Sequence, residues 1–310
     1  MGKKVLITGG AGFIGSHLTE ELVKCGNDVT VLDDLSAGKE ANIETLIKNG
    51  SIEFIKGSIM DQELLRKLLS AIEVIFHLAA VGSIPRSVAD PETSHLINAT
   101  GTFNVLLAAR DCGVGKVIYS SSSSVYGDTP TLPKSEDILP VPIAPYAVAK
   151  LTGEYYCGVF QKLYGLNTVS LRYFNVYGPR QDPYSQYAVI IPKFIKSCFN
   201  GESPVIFDDG EQTRDFTFVR DVVHSNVLAE SSDASGVYNI SGGVGITINR
   251  LTELIIELTG SKLKPVYTEP RPGDIRHSLA DISKARTFGY IPEYDMESGL
   301  NETIEWFKGS

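Results

Sequence analysis

Tyr146 and Lys150 have the types and the spacing for proton transfer. On a helix that starts after Pro145, a separation of four puts both on one face. A phenol normally ionises near ~10. An ammonium group a few ångströms away favours the phenolate and lowers that value. Tyr146 is therefore expected to take a proton from a substrate hydroxyl near neutral pH, with Lys150 also placed to bond a ribose. The serine run Ser120–Ser124 adds hydroxyls at the end of a strand, just before Val125-Tyr126-Gly127. Taken alone, Tyr-x-x-x-Lys also arises by chance on amphipathic helices. It gains meaning from a second feature near the N-terminus.

That feature is a strand, Val5-Leu6-Ile7-Thr8, followed by Gly9, Gly12 and Gly15 and then by Ser16-His17-Leu18 opening a helix. One glycine permits a tight turn, one lets backbone approach a diphosphate, and one allows close helix–strand packing. The helix N-terminus offers N–H donors and partial positive charge to that diphosphate. The next strand ends in Asp33-Asp34, eighteen residues after Gly15, where an acid bonds an adenosine ribose. A carboxylate there repels a 2′-phosphate. No arginine lies nearby, although Lys39 does, so the expected cofactor is NAD rather than NADP.

These groups need a scaffold, and the chain spells one out. Apolar runs at Val5–Thr8, Val29–Leu32, Ile52–Ile55, Val74–Leu78, Lys116–Tyr119 and Thr168–Leu171 alternate with helical patterns at Ile14–Lys24, Gln62–Leu69, Gly101–Asp111 and Tyr146–Tyr164. Near-continuous apolar strands between helices imply a parallel sheet covered on both faces. After about Arg172 the chain becomes rich in Pro and Gly, which predicts a smaller, loop-rich region. Arg214–Glu230 and the strand Val237–Ile240 are expected to return to the first. The 310 residues, 43% hydrophobic and 21% charged, suit a globular fold. A net charge of −9 argues against nonspecific binding to nucleic acid or anionic membranes. An anionic ligand must then be held by helix N-termini or a few arginines. No run approaches the ~18 apolar residues of a membrane span, and the N-terminus does not read as a signal peptide. Four scattered cysteines suggest reduced thiols and a cytoplasmic location. The five histidines show no metal spacing and are expected to be packing or surface residues.

The Gly-x-x-Gly-x-x-Gly spacing, His77-Leu78-Ala79-Ala80 and Asn98-Ala99-Thr100-Gly101-Thr102 resemble the extended short-chain dehydrogenase/reductase (NAD-dependent epimerase/dehydratase) family along nearly the whole chain. The resemblance implies an α/β fold with a Rossmann-type doubly wound parallel sheet over 1–175, with returning segments near 215–240. A smaller α/β nucleotide-sugar domain would span 176–310. It places Gly9, Gly12, Phe13, Ile14, Gly15, Asp33, Asp34, Ser36, Gly38, Ser58, Ile59, Leu78, Ala79, Ala80, Asn98, Tyr146, Lys150 and Phe174 against NAD. Ser58 is a departure, since many relatives carry aspartate there on the adenine amino group. The catalytic serine or threonine of the family, four residues before the Tyr of Val125-Tyr126-Gly127, is Ser122.

Related 4,6-dehydratases carry an Asp-Glu pair after that residue, and decarboxylases a Glu. Here Ser123, Ser124 and Val125 stand instead, so the resemblance implies a 4-epimerase working through a transient 4-keto sugar. The implied UDP-sugar contacts are Ser83, Ser122, Ser123, Ser124, Tyr146, Asn175, Val189, Ile190, Lys193, Val205 or Phe207 against uracil, the diphosphate arginines Arg214 and Arg271, Asp274 on the ribose, and Ser278 beside the C2 substituent. A small Ser278 leaves room for an N-acetyl group, where a tyrosine excludes it. UDP-glucose/UDP-galactose and UDP-GlcNAc/UDP-GalNAc are the expected pairs. UDP-glucuronate 4-epimerisation is the alternative substrate, and a dinucleotide-sensing regulator the alternative outside enzymology. The resemblance also implies a homodimer built on helices around Glu92–Asp111 and Tyr146–Tyr164.

Overall fold

The computed structural model describes residues 2–182, 190–270 and 275–309. Six strands follow the apolar runs: β1 (Lys4–Thr8), β2 (Asp28–Asp33), β3 (Ile52–Lys56), β4 (Val74–His77), β5 (Lys116–Ser122) and β6 (Asn167–Tyr173). The strand Gly236–Ile240 returns to pair with β6. The sheet of seven runs Gly236–Ile240, β6, β5, β4, β1, β2, β3, parallel throughout. It is a Rossmann-like doubly wound sheet. The strand order reverses between β1 and β4, and their C-terminal ends open the crevice in which such sheets bind ligands.

Alternation along β1 explains the layers. Val5 and Ile7 enter one core with Leu18 and Leu22 of α1 (Phe13–Lys24) and with Val222 and Val223 of the returning helix Val219–Ser231. Leu6 enters the other with Leu65 and Leu69, Val105 and Leu106, and Phe160. A third core joins the helices Ile190–Asn200, Ile248–Leu258 and Met296–Lys308 around Tyr177 and Phe218. Three two-stranded pairs edge this region: Val176–Tyr177 with Thr217–Phe218, Thr213–Asp215 with Gly245–Thr247, and Val205–Phe207 with Val266–Thr268.

Helix starts differ in how their free N–H groups are met. Asp61, Thr247 and Asp295 each cap a helix with a side-chain oxygen, as orphan N–H groups require. α1 begins at Gly12 without a side-chain cap. Its first-turn donors are left for a ligand.

Candidate active site

At the β1–α1 turn, Gly9 adopts φ +75°, and a Cβ there would lie 2.7 Å from the Ala79 nitrogen. A Cβ on Gly15 would lie 2.0 Å from the Gly9 carbonyl oxygen. These two positions are glycine because backbone meets backbone. A Cβ on Gly12 would meet only the Gly9 oxygen, at 3.2 Å, so its outer side is open for close approach. The cleft is lined by Gly9, Gly12, Asp33, Asp34, Ser36, Gly38, Ser58, Ile59, Leu78, Ala79 and Ala80. Asp33 is buried, and its oxygens accept N–H bonds from Ala11 at 2.9 Å and Leu35 at 2.8 Å. Burial raises its pKa, and those two donors work against the rise. Each oxygen keeps a lone pair for a ribose hydroxyl. Lys39 is drawn to Asp182 at 3.4 Å. The uncapped helix, the glycine cradle and the acid fit a dinucleotide. Ser58 accepts from the Met60 nitrogen at 3.2 Å, which leaves its own proton to give.

The far wall of that cleft is held by a chain of neutral groups. The Thr102 hydroxyl donates to the Asn98 carbonyl at 2.7 Å. Its contact with His77 Nε2 at 2.9 Å must then be donated by the histidine. Nδ1 of His77 accepts from Thr8 at 2.7 Å, and Thr8 accepts from the Ala79 nitrogen at 3.3 Å. Burial, with Lys150 acting in the same sense, brings the His77 pKa down to about 3. His77 is therefore neutral. Asn98 sits in a π-helical turn, Leu96–Gly101, and its amide bonds both backbone groups of Val81. Its side chain holds the wall in place; with 1% exposure it presents almost no surface to a ligand.

The proton-transfer residues meet where β5 passes into the turn Ser123–Tyr126. Tyr146 and Lys150 stand on the helix Pro145–Tyr164, which has Pro in its first turn and Gly165 in left-handed geometry at its end. Lys150 is 2% exposed and donates to the Ser120 carbonyl at 2.6 Å. Burial lowers its pKa to about 8, and Glu154 opposes the change. Tyr146 departs from expectation. Burial raises its pKa, and the force drawing it down is a hydrogen bond with Ser122 rather than the Lys150 ammonium. The Lys150 nitrogen sits 5.9 Å from the Tyr146 ring centroid and gives one of its three N–H donors to Ser120. The Ser124 hydroxyl oxygen is buried without a partner, and the Ser122 oxygen also accepts from the Ser124 nitrogen at 3.2 Å.

Two residues that sequence reading missed complete this layer. Glu154 accepts from Ser121 at 2.5 Å and receives a two-pronged pair from Arg172 on β6, at 2.8 and 2.6 Å. The signal was present, since Glu154 continues the four-residue spacing of Tyr146 and Lys150.

On the other side of the crevice, Asn175 takes a positive φ of 34° and donates to the Asp215 carbonyl at 2.8 Å. Arg214 donates to the Thr213 carbonyl at 2.9 Å, and the Ser278 nitrogen donates to the Thr213 carbonyl at 3.1 Å, so Arg214 and Ser278 are neighbours. Val205 and Phe207 share one face of a short strand, and Ile190 and Lys193 open the helix Ile190–Asn200. The Ser83 hydroxyl caps the helix Ile84–Ala89 by accepting from the Arg86 nitrogen at 3.2 Å. Phe174 has no exposed surface and packs with Val125, Tyr126 and Leu151. Val189, Arg271 and Asp274 lie outside the described residues. Among the described residues no cluster of His, Cys, Asp and Glu could hold a metal ion.

The sequence model of the NAD dependent epimerase/dehydratase family matches residues 5–241. UDP-glucose 4-epimerase of Mycolicibacterium smegmatis is 40% identical over 309 residues, 98% of each chain. The structure of UDP-N-acetylglucosamine 4-epimerase from Methanobrevibacter ruminantium, in complex with UDP-N-acetylmuramic acid, is similar with a TM-score of 0.96 and 44% identity over 99% of both chains. UDP-glucose 4-epimerase from Thermotoga maritima, solved with UDP-glucose, gives 0.94 and 41% over 99% of both.

Proposed function

We propose, for a chain that belongs to the NAD-dependent epimerase/dehydratase family and is an NAD-dependent isomerase, that it inverts C4 of UDP-hexoses. UDP-glucose/UDP-galactose and the N-acetylated pair are its substrates. Phe13 and Ile14 present backbone N–H donors to the cofactor diphosphate at the start of α1, where Gly12 supplies no side-chain cap. Asp33 accepts the adenosine ribose hydroxyls. NAD, when bound, supplies reversible hydride acceptance at C4. Tyr146 accepts the proton of the 4-hydroxyl through its phenolic oxygen and gives it back, and Ser122 holds that oxygen in line. Lys150, 5.9 Å from the Tyr146 ring centroid, keeps two N–H donors for the nicotinamide ribose.

One observation carries this reading. The Ser122–Tyr146 pair is flanked at Ser123, Ser124 and Val125 by hydroxyl and methyl groups, and no carboxylate of that turn adds a second acid or base. Such a set suffices for oxidation and reduction at one carbon. Arg214 anchors the diphosphate, where a guanidinium fork suits a dianion, and the small hydroxyls near C4 let the hexose turn between hydride departure and return. The acceptance of N-acetylated sugars rests on Ser278, which is small and sits beside Thr213.

We further propose a homodimer. The helix Pro145–Tyr164 exposes Val148, Tyr155, Val159, Leu163 and Tyr164, and the neighbouring turns expose Val88 and Leu96. A second copy of the chain would cover this apolar face. No helix among the described residues is long and apolar enough to cross a membrane, and the four cysteines are free. We place the enzyme in the cytoplasm.

The test incubates purified protein with UDP-galactose, UDP-GalNAc or UDP-glucuronate without added NAD and separates the products. The expected products are UDP-glucose and UDP-GlcNAc, with C4 deuterium retained. Deuterium lost to solvent, or turnover confined to UDP-glucuronate, removes the reading.

A further inference from the structure

Three consecutive residues of β5 meet three residues spaced four apart on the helix Pro145–Tyr164. The Ser122 hydroxyl lies close enough to the Tyr146 phenol to draw its pKa down, the Ser120 carbonyl takes the Lys150 ammonium at 2.6 Å, and the Ser121 hydroxyl donates to Glu154 Oε1 at 2.5 Å. The first two contacts belong to the proton-transfer set. The third touches no reacting atom, yet it is the most heavily supported. Arg172 Nε and Nη2 donate to the two oxygens of Glu154. The guanidinium lies 4.6 Å from the Tyr126 ring centroid, and the Tyr126 hydroxyl donates to Asn239 Oδ1 at 2.7 Å on the strand Gly236–Ile240. The Glu154 and Arg172 side chains are 3% and 4% exposed. A buried ion pair is a poor way to gain stability, because apolar side chains of similar volume often do as well or better. What this pair supplies is direction: two parallel bonds fix the carboxylate, and the carboxylate fixes Ser121.

We propose that Glu154, held by Arg172, is a positioning residue for C4 inversion, locking the end of β5 to the catalytic helix so that Ser122, Tyr146 and Lys150 act in one arrangement. The role rests on the function proposed above. Charge adds a second effect. Lys150 is faced by His77 from β4, by Tyr119 and the Ser120 carbonyl from β5, by Tyr146 and Glu154 on its own helix, and by Arg172 from β6 behind Glu154. Glu154 is the anion among them. Without it, Lys150 and Arg172 are two buried cations, and the lysine gives up its proton at lower pH.

The test compares the parent with Glu154→Gln and with the double variant Glu154→Leu/Arg172→Met, which removes both charges together and keeps the site packed should the single variant misfold. Both are expected to retain NAD and a parental KM for UDP-galactose. kcat is expected to fall on the order of ten- to a hundredfold, the scale of a small misplacement of reacting groups. In Glu154→Gln the alkaline limb of the kcat profile moves to lower pH. A folded double variant with parental kcat overturns the role. So does a Glu154→Gln loss that is uniform across pH and accompanied by a matching rise in KM. A parent that leaves C4 untouched in every UDP-hexose overturns the proposed function and this role with it, whereas an active parent beside an indifferent double variant overturns the positioning role alone.

Discussion

Gly153 sits on the catalytic helix three residues beyond Lys150, pressed against β5. A Cβ there would lie 2.3 Å from the Tyr119 hydroxyl oxygen and 2.5 Å from its Cζ. Tyr119 cannot withdraw. It is 1% exposed, its hydroxyl donates to the Lys150 carbonyl at 3.2 Å, and its ring stacks on His77 at 5.7 Å. In Gly153→Ala the contact must therefore open from 2.3 Å to the 3.4 Å at which ordinary contact begins, a parting of about 1.1 Å. The Ser120–Lys150 bond crosses the same seam, and the Ser122 and Tyr146 hydroxyls face each other over it. Overpacking of this kind costs ~1–3 kcal/mol, and alanine returns ~1 kcal/mol in helix propensity over glycine, so the variant should fold with a small loss of stability. Catalysis should suffer more, because a misplacement of about an ångström costs on the order of 10²-fold in rate. Steady-state epimerisation of UDP-galactose with urea unfolding in parallel measures both. Gly158→Ala, on the same helix, is the control: its Cβ meets nothing within 4 Å, so it should gain ~0.4–1 kcal/mol and keep its kcat. A folded Gly153→Ala enzyme with the parent's kcat would refute the idea that helix–strand spacing sets the reaction geometry.

Tyr146→Phe should lower kcat by at least ~10²–10⁴-fold, the usual worth of a positioned acid–base group, with bound NAD still recovered on denaturation; near-parental turnover rejects Tyr146 as the base. Ser278→Tyr should abolish turnover of UDP-GalNAc while sparing UDP-galactose, and equal effects on the two sugars would sink the steric account. Burial raises Asp215 to about 6 against backbone donors from Ala280 and Gly243. Its protonated form is thus favoured on folding, and the stability this contributes is fully present below 3.8 and lost as pH rises through about 6. The gap is worth about 3 kcal/mol. The difference in unfolding free energy between parent and Asp215→Asn should change by that amount across the window, and parallel pH curves would show the assignment to be wrong. Leu163→Glu, on the exposed apolar face, should shift the proposed dimer toward monomer by light scattering, and an unchanged mass would place the interface elsewhere.

The sheet was legible because its strands are buried on both faces and so read as unbroken apolar runs, as Val5–Thr8 and Val74–His77 do. The end of β5 was harder. Its last residues are serines, kept in the strand by bonds to the helix that no local pattern announces. Pairs such as Val176–Tyr177 with Thr217–Phe218 went unread because two residues carry no period and the partner lies far along the chain. The helical pattern at Gly101–Asp111 missed the π-turn before it, from which the Asn98 amide bonds Val81. Glu154 looks in sequence like an ordinary solvated helix charge. Only the approach of Arg172 across the sheet turns it inward. Tyr146 and Lys150 were found by spacing, but spacing alone could not show that Ser120 would claim the ammonium.

The two ends of the crevice differ in how the chain builds them. The described residues that line the cavity at the β1–α1 turn fall between Gly9 and Ile97, one continuous stretch that can be inherited and retained as a block. The opposite end gathers its groups from remote places, with Ser122 near Tyr146 and Thr213 joined to Ser278. A lineage could therefore redraw that end through scattered single replacements, acquiring a new sugar while the adenosine-binding end stays as it is.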